Sequence, residues 1–443
     1  MTIDLGGGAT AVHWIGGAPP IQQITSFTVA AALEATDEFS VKINGKRSAI
    51  VDADSTTIST ALATLVEALN SDTEPEIQKV TWSSSSNALI ATVKRAGHPL
   101  TITVYCHDDG QANSDAQTVD GIAGHTGSTG VDTTACSGPN FFNVAANWST
   151  GAVPVDDKVV VYANSDIDCL YGLGNTGVSP ITVRVDMSYT GAIGLPFYNE
   201  NNSVEGQTRY LTLGAAADGN TDIIIGLGEG AGPKRVLINM TDCQFTGVIH
   251  NTRSSPFGQD QWGIVLKGTH ASNALTVNRA PAGVAIAPWP SETATLVTTN
   301  VGFVANELGD VREVFLSNGV TATTVVQTGG TLKSECAMTT STQYGGVHKH
   351  YNGAITTKTC LGGTFVQLAL TDAIGTLNLK GPGIFDASQT LAAKAITTRN
   401  IYEGAIVLDP AGTIAVGAWV FTQTTPWKCP GFKSKPGQTW TNS

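Results

Sequence analysis

Hydrophobic and polar positions along the chain fall into successive textures. Residues 25–32 and 38–44 carry apolar and β-branched residues that alternate or run on, the pattern of strands. Asn44-Gly45 predicts a tight hairpin, with 46–52 as the returning strand. Ser55 or Thr56 then caps a helix. Its apolar positions, Ile58, Ala61, Leu62, Leu65, Val66 and Leu69, follow the i, i+3, i+4, i+7 spacing of one buried stripe. Three more strands are predicted at 77–82, 88–94 and 100–105. Residues 25–106 thus read as one small α+β module, a compact sheet with a helix on one face.

The module is preceded by an arm, residues 1–24. Gly6-Gly7-Gly8 and Gly16-Gly17-Ala18-Pro19-Pro20 cannot hold a helix, yet Val12, His13, Trp14 and Ile15 stand between them. Aromatic residues dominate interface hot spots, so these four are the candidate partner-binding residues. The plainer alternative is that they cover an edge of the 25–106 module. Residues 107–140 are rich in Gly, Ser, Thr and Asp with few large apolar side chains, and read as a linker.

From residue 141 to 443, short apolar segments alternate with turns of Gly, Asn, Thr and Asp. Gly329-Gly330, Gly345-Gly346, Gly362-Gly363 and Gly381-Pro382-Gly383 begin 16, 17 and 19 residues apart, each followed by a short strand. A repeat of that length with strands and no helix indicates the coils of a β-solenoid. The expected fold is therefore mainly β: a small α+β module followed by a right-handed parallel β-helix. A large β-sandwich is the alternative, since short strands with frequent turns fit that class too. Inward positions of the shaft are expected to include Val325, Leu332, Val347, Ile355, Phe365, Leu377 and Phe385.

Composition narrows the function. Charged residues are 14% of the chain, against about 25% in ordinary globular proteins. The net charge is −12, and no basic run offers the clustered cations that nucleic acid requires. An anionic membrane surface is disfavoured for the same reason. No stretch approaches the length of a transmembrane helix, and residues 1–10 lack the basic and apolar regions of a secretion signal. Neither nucleic acid nor membrane is an expected partner. The seven cysteines show no CxxC or CxxH spacing, so no zinc site is expected. Most read as reduced thiols of a protein made in a cytoplasm, with Cys336 and Cys360 the best pair if any bridge forms.

Catalytic chemistry has few footholds. Glycoside hydrolysis needs two carboxylates roughly 5–10 Å apart. The solenoid offers Glu292, Glu307, Asp310, Glu313, Glu335, Asp372, Asp386, Glu403 and Asp409, which read as solvated turn carboxylates. His348 and His350 share one face of a strand, read as an exposed face rather than a metal site. Gly226–Gly232 lacks the Lys-Ser/Thr and helix of a phosphate loop, and Thr269-His270-Ala271-Ser272 lacks a nucleophile elbow. No catalytic, cofactor or metal residue is expected.

A resemblance adds to this. Glu38-Phe39-Ser40-Val41-Lys42-Ile43-Asn44-Gly45, the helix after it and Ala91-Thr92-Val93-Lys94-Arg95-Ala96-Gly97-His98-Pro99-Leu100-Thr101-Ile102-Thr103 resemble a module of tailed-phage virion proteins. Ala146-Asn147-Trp148-Ser149-Thr150-Gly151-Ala152-Val153-Pro154, Asp168-Cys169-Leu170-Tyr171-Gly172-Leu173, Gly228-Glu229-Gly230-Ala231-Gly232 and Lys267-Gly268-Thr269-His270-Ala271-Ser272-Asn273 look like a phage or prophage family as well. The resemblance implies a virion structural role. The expected function is non-enzymatic: a capsid-surface decoration protein, made in the host cytoplasm, acting as a homotrimer that binds the major capsid protein and stiffens the head. The rivals are a tail spike or fibre that binds or cleaves host glycans, and a cell-surface β-solenoid adhesin.

Overall fold

The computed structural model describes residues 11–29, 37–107, 118–119, 122–123, 128–196, 208–214, 219–258, 261–302, 313–368, 373–389, 394–409, 414–422 and 441–442. The module contains two antiparallel sheets rather than the single sheet expected. One runs in the order Val131–Thr134, Ile24–Thr28, Ala88–Val93, Val80–Ser85. In the other, Glu38–Ile43 pairs with Lys46–Arg47, Val51–Asp52 and Ile102–His107. The helix Ile58–Ser71 contacts strands of both and buries Ala61, Leu62, Leu65 and Leu69. Its N-cap is Thr57, one residue beyond Thr56, with the Thr57 amide donating to Ser55 Oγ at 3.0 Å. Asn44 (φ 47°) and Gly45 (φ 83°) are both left-handed, the requirement of the tight hairpin turn that Asn-Gly supplies. Part of the expected linker belongs to the module: Val131–Thr134 is an edge strand, and Asp132 accepts a hydrogen bond from Thr25 Oγ1 at 2.6 Å.

The rest is a parallel β-solenoid. Two sheets of 14 and 12 strands carry it, and from Asn220–Leu227 to Ile414–Thr422 the described strands alternate between them. Every strand pairing within these two sheets is parallel, which removes the sandwich alternative, built of antiparallel sheets. Val325 pairs with Ser341, Ser341 with Lys358 and Lys358 with Leu377, offsets of 16, 17 and 19 that reproduce the glycine spacing. The turns explain that spacing. A Cβ on Gly346 (φ +76°) would stand 2.3 Å from the Gly330 carbonyl, and one on Gly363 (φ +73°) 2.3 Å from that of Gly346. Stacked turns this close admit no side chain. Buried Gln343 donates from Nε2 to the Gly346 and Thr364 carbonyls, both at 3.0 Å, tying one turn to the next.

Six of the seven expected inward residues lie inside: Val325, Leu332, Ile355, Phe365, Leu377 and Phe385 are fully buried. Val347 does not. It is half-exposed, and its neighbour His348 takes the interior position between Leu332 and Phe365.

The N-terminal arm closes the first coil. Ala11–His13 pairs in parallel with Val159–Tyr162 and begins the 14-stranded sheet. Trp14 packs edge-on against Trp148 (5.1 Å between centroids) and lies beside Tyr162 (5.9 Å), while Phe142 closes on Trp148 at 5.0 Å. Both indoles are anchored, Trp14 Nε1 donating to the Ile167 carbonyl at 2.9 Å and Trp148 Nε1 to that of Phe142 at 2.7 Å. Aromatic rings of this size seal the open end of a hydrophobic shaft.

Candidate functional site

Val12 and Trp14 are interior residues, so the expectation that Trp14 offers itself to another subunit gives way: its partner surface is this chain's own first coil. Nor does it cover the 25–106 module. His13 and Ile15, which alternate with them, face outward and are exposed. Ala146-Asn147-Trp148 has a structural task here. Asn147 is fully buried, accepts from the Ala18 amide at 2.8 Å, and donates to the Gly138 and Phe141 carbonyls, both at 2.8 Å, fastening arm to coil.

His348 and His350 do share a face, but it is the interior one, contrary to the exposed face expected. They belong to a polar chain inside the shaft. Lys358 Nζ lies 3.1 Å from Ser341 Oγ and 2.9 Å from His348 Nδ1; Ser334 Oγ lies 2.8 Å from both His348 Nε2 and His350 Nδ1; His350 Nε2 lies 2.6 Å from the Gly353 carbonyl. One proton assignment satisfies every link. Lys358 donates to Ser341 and to His348 Nδ1, His348 Nε2–H to Ser334, Ser334 to His350 Nδ1, and His350 Nε2–H to Gly353. Lys358 Nζ also sits 4.6 Å from the centroid of the Phe365 ring. Burial lowers the Lys358 ammonium to about 7, and burial with neighbouring Lys358 holds His348 well below the ordinary imidazole range. Lys358 and His348 have no exposed surface, so the chain organises the shaft rather than meeting a substrate.

The outer face of the 12-stranded sheet is different. Leu237, Val265, Ala285 and Phe315 are direct register neighbours on successive coils and form a second, small apolar cluster with Tyr210. Half-exposed Trp262 and Trp289 pack against it. Trp262 lies flat on Phe315, 5.3 Å between centroids at 12°. Trp289 meets Tyr210 edge-on at 5.6 Å and carries the Arg209 guanidinium 5.1 Å from its ring centroid. Glu292 is held from several sides: Tyr210 Oη donates at 2.9 Å, Lys267 Nζ at 3.0 Å and the Trp289 amide at 3.4 Å. Burial and the Glu292 carboxylate push the Tyr210 phenol above its usual range. Further along, Lys333 Nζ lies 4.6 Å from the Phe315 centroid, 5.1 Å from that of Tyr351, and 3.4 Å from Glu335.

Of the carboxylates singled out, Glu292 therefore stands among aromatic rings. Asp386 accepts from the Ser388 amide at 2.9 Å, a local turn contact. Glu307, Asp310 and Asp372 lie outside the described residues. His270 accepts from the Ser272 amide at 3.1 Å, a turn contact rather than a nucleophile and its base. Gly226–Gly232 joins two strands, with no helix to follow. A cavity of about 400 Å³, lined by Gln23, Leu100, Asp132, Cys136 and Phe141 among others, holds no poised nucleophile: burial raises the Cys136 thiol to about 11. Among the described residues, no group of three His, Cys, Asp or Glu converges as a metal site.

All six described cysteines are free thiols, Cys336 and Cys360 among them; Cys429 lies outside the described residues. Cys360 is level with Gln343, at the far end of the strand that begins beside Cys336. Burial raises Cys169 and Cys336 to about 12. Alkylation of the folded protein should therefore spare the five buried thiols, and unfolding without reductant should expose all six. Any of the six that labels only after reduction would contradict the assignment.

No family model, curated protein or solved structure matches the chain.

Proposed function

We propose that the protein is a non-enzymatic structural component of a tailed-phage particle: a capsid-surface decoration protein, made in the host cytoplasm, that binds the major capsid protein as a homotrimer. The observation that carries the structural role is the buried interior of the shaft over the described coils. Its most reactive interior groups, Lys358, His348, His350 and Ser334, are consumed in hydrogen bonds to one another and to the backbone. A rod with that interior resists deformation, because close-packed cores transmit strain instead of absorbing it. The virion assignment rests on the sequence resemblance, and a low-charge solenoid suits permanent assembly.

Stoichiometry tests the proposal. In purified particles that contain the chain, peptide quantification should place its copy number near that of the major capsid protein. The recombinant 45.9 kDa chain should sediment as a trimer. A copy number matching tail proteins would remove the decoration role, and a monomer would remove the trimer.

A further inference from the structure

We infer that the outer face of the 12-stranded sheet, centred on Trp262 and Trp289, is a binding site for a neutral, hydroxyl-rich polysaccharide chain. The ladder beneath it runs Leu237, Val265, Ala285, Phe315, Lys333, Lys349, one residue per coil. At the spacing of neighbouring strands, five steps cover about 24 Å, the reach of an extended polymer rather than of a small metabolite.

Three features fix the chemical class. The first is the platform. With one face of Trp262 stacked on buried Phe315, its other face is turned away from the small core, and the residue is half-exposed. A flat indole so held presents a large apolar surface at little entropic cost, as a sugar ring's C–H face requires. Tyr351, 37% exposed beside Lys333, offers a second ring on the same face.

The second is the polar lining. Arg209, Glu292, Lys333 and Glu335 place donors and acceptors next to the rings, and Lys267 holds the Glu292 carboxylate in place. Sugar hydroxyls both donate and accept, so they can engage such a mixed lining without leaving a charge unpaired.

The third is the field. Lys267 and Lys333 are paired with Glu292 and Glu335, and the chain as a whole carries −12. A nucleic acid or an acidic polymer draws its affinity from clustered unpaired cations, whereas here two of the cations are already paired with carboxylates and the net charge of the chain opposes the polymer's approach. An apolar protein face would strip water from these charged groups without replacing their hydrogen bonds. A neutral glycan avoids both penalties.

Electrophoresis through gels containing dextran, laminarin, mannan, xylan or soluble starch, with alginate as the acidic control, tests the inference. At least one neutral polymer should retard the wild-type protein and alginate should not. Trp262→Ala should weaken the retarding affinity by about tenfold or more, the loss typical of an aromatic hot spot. Trp262→Phe should retain part of it. Should Trp262→Ala fail to fold, as its melting curve would show, Tyr351→Ala probes the same face from an exposed position and should also weaken retardation. The inference is overturned if no neutral polymer retards the protein, if alginate retards it more strongly, or if the folded variants bind like wild type. None of these results bears on copy number in a particle, so the structural proposal stands or falls separately.

Discussion

Replacing Phe365 with alanine is expected to remove about 3–5 kcal/mol of stability from the solenoid, the usual loss when a large ring leaves a packed core. Phe365 is fully buried, with His348 at 5.2 Å and Phe385 at 5.8 Å between ring centroids. The Lys358 ammonium 4.6 Å from its ring centroid would lose a cation–π partner in a site with little water to replace it. Neighbours above and below are bound into ladders on both sides and cannot collapse into the gap. Equilibrium unfolding in guanidinium measures the loss. Val347→Ala is the internal control: its side chain is half-exposed on the outer face, so the change should stay within about 1 kcal/mol. Equal effects at the two positions would mean that the interior register is wrong.

That control marks the boundary of what local pattern reveals. The helix stripe, the Asn-Gly hairpin and the 16, 17 and 19-residue coil spacing were legible because each signal lies within about one coil of sequence. Val347-His348-Lys349-His350 misled because apolarity points to Val347 as the inward residue. Only the neighbouring coils, which supply Ser334, Ser341 and Lys358, make two histidines acceptable inside. The same limit hid the arm's destination. Trp14 finds Trp148 and Tyr162 more than a hundred residues away, and the aromatics on the outer face come from positions 210, 262, 289, 315 and 351. Earlier coils were harder to see because their lengths vary: Val160 to Val183 is 23 residues, but Val183 to Ile223 is 40. A repeat broken by loops of unequal length leaves no fixed period to detect.

Lys358 sets the second large expectation, in pH rather than in volume. Its ammonium titrates near 7 in the folded shaft and near its ordinary 10.5 once unfolded. Between those values the unfolded chain binds a proton that the folded one does not, so raising the pH stabilises the fold. Below about 7 both states are protonated and this contribution is flat. From pH 7 to pH 9 the gain from this one group is about 2 kcal/mol. Lys358→Met removes the titration while keeping similar bulk, although it leaves Ser341 and His348 without their donor. The absolute stability of the variant therefore mixes a relieved charge with two lost hydrogen bonds. The difference between wild type and variant as a function of pH cancels the groups that do not feel Lys358. Cys360, whose thiol the Lys358 ammonium lowers, does feel it, so the comparison is made in a Cys360→Ser background shared by both proteins. Unfolding curves at pH 7, 8 and 9 should show wild type gaining on Lys358→Met by that amount. Parallel profiles would mean that Lys358 is not buried as a titrating group. Below pH 6.5 a different group takes over: His348, held well below its usual range by burial and by Lys358, stays neutral in the folded shaft while its unfolded counterpart takes up a proton. Acid then destabilises the wild-type solenoid progressively. Lys358→Met should soften that loss, since removing the cation 2.9 Å from His348 Nδ1 makes protonation of the folded imidazole easier.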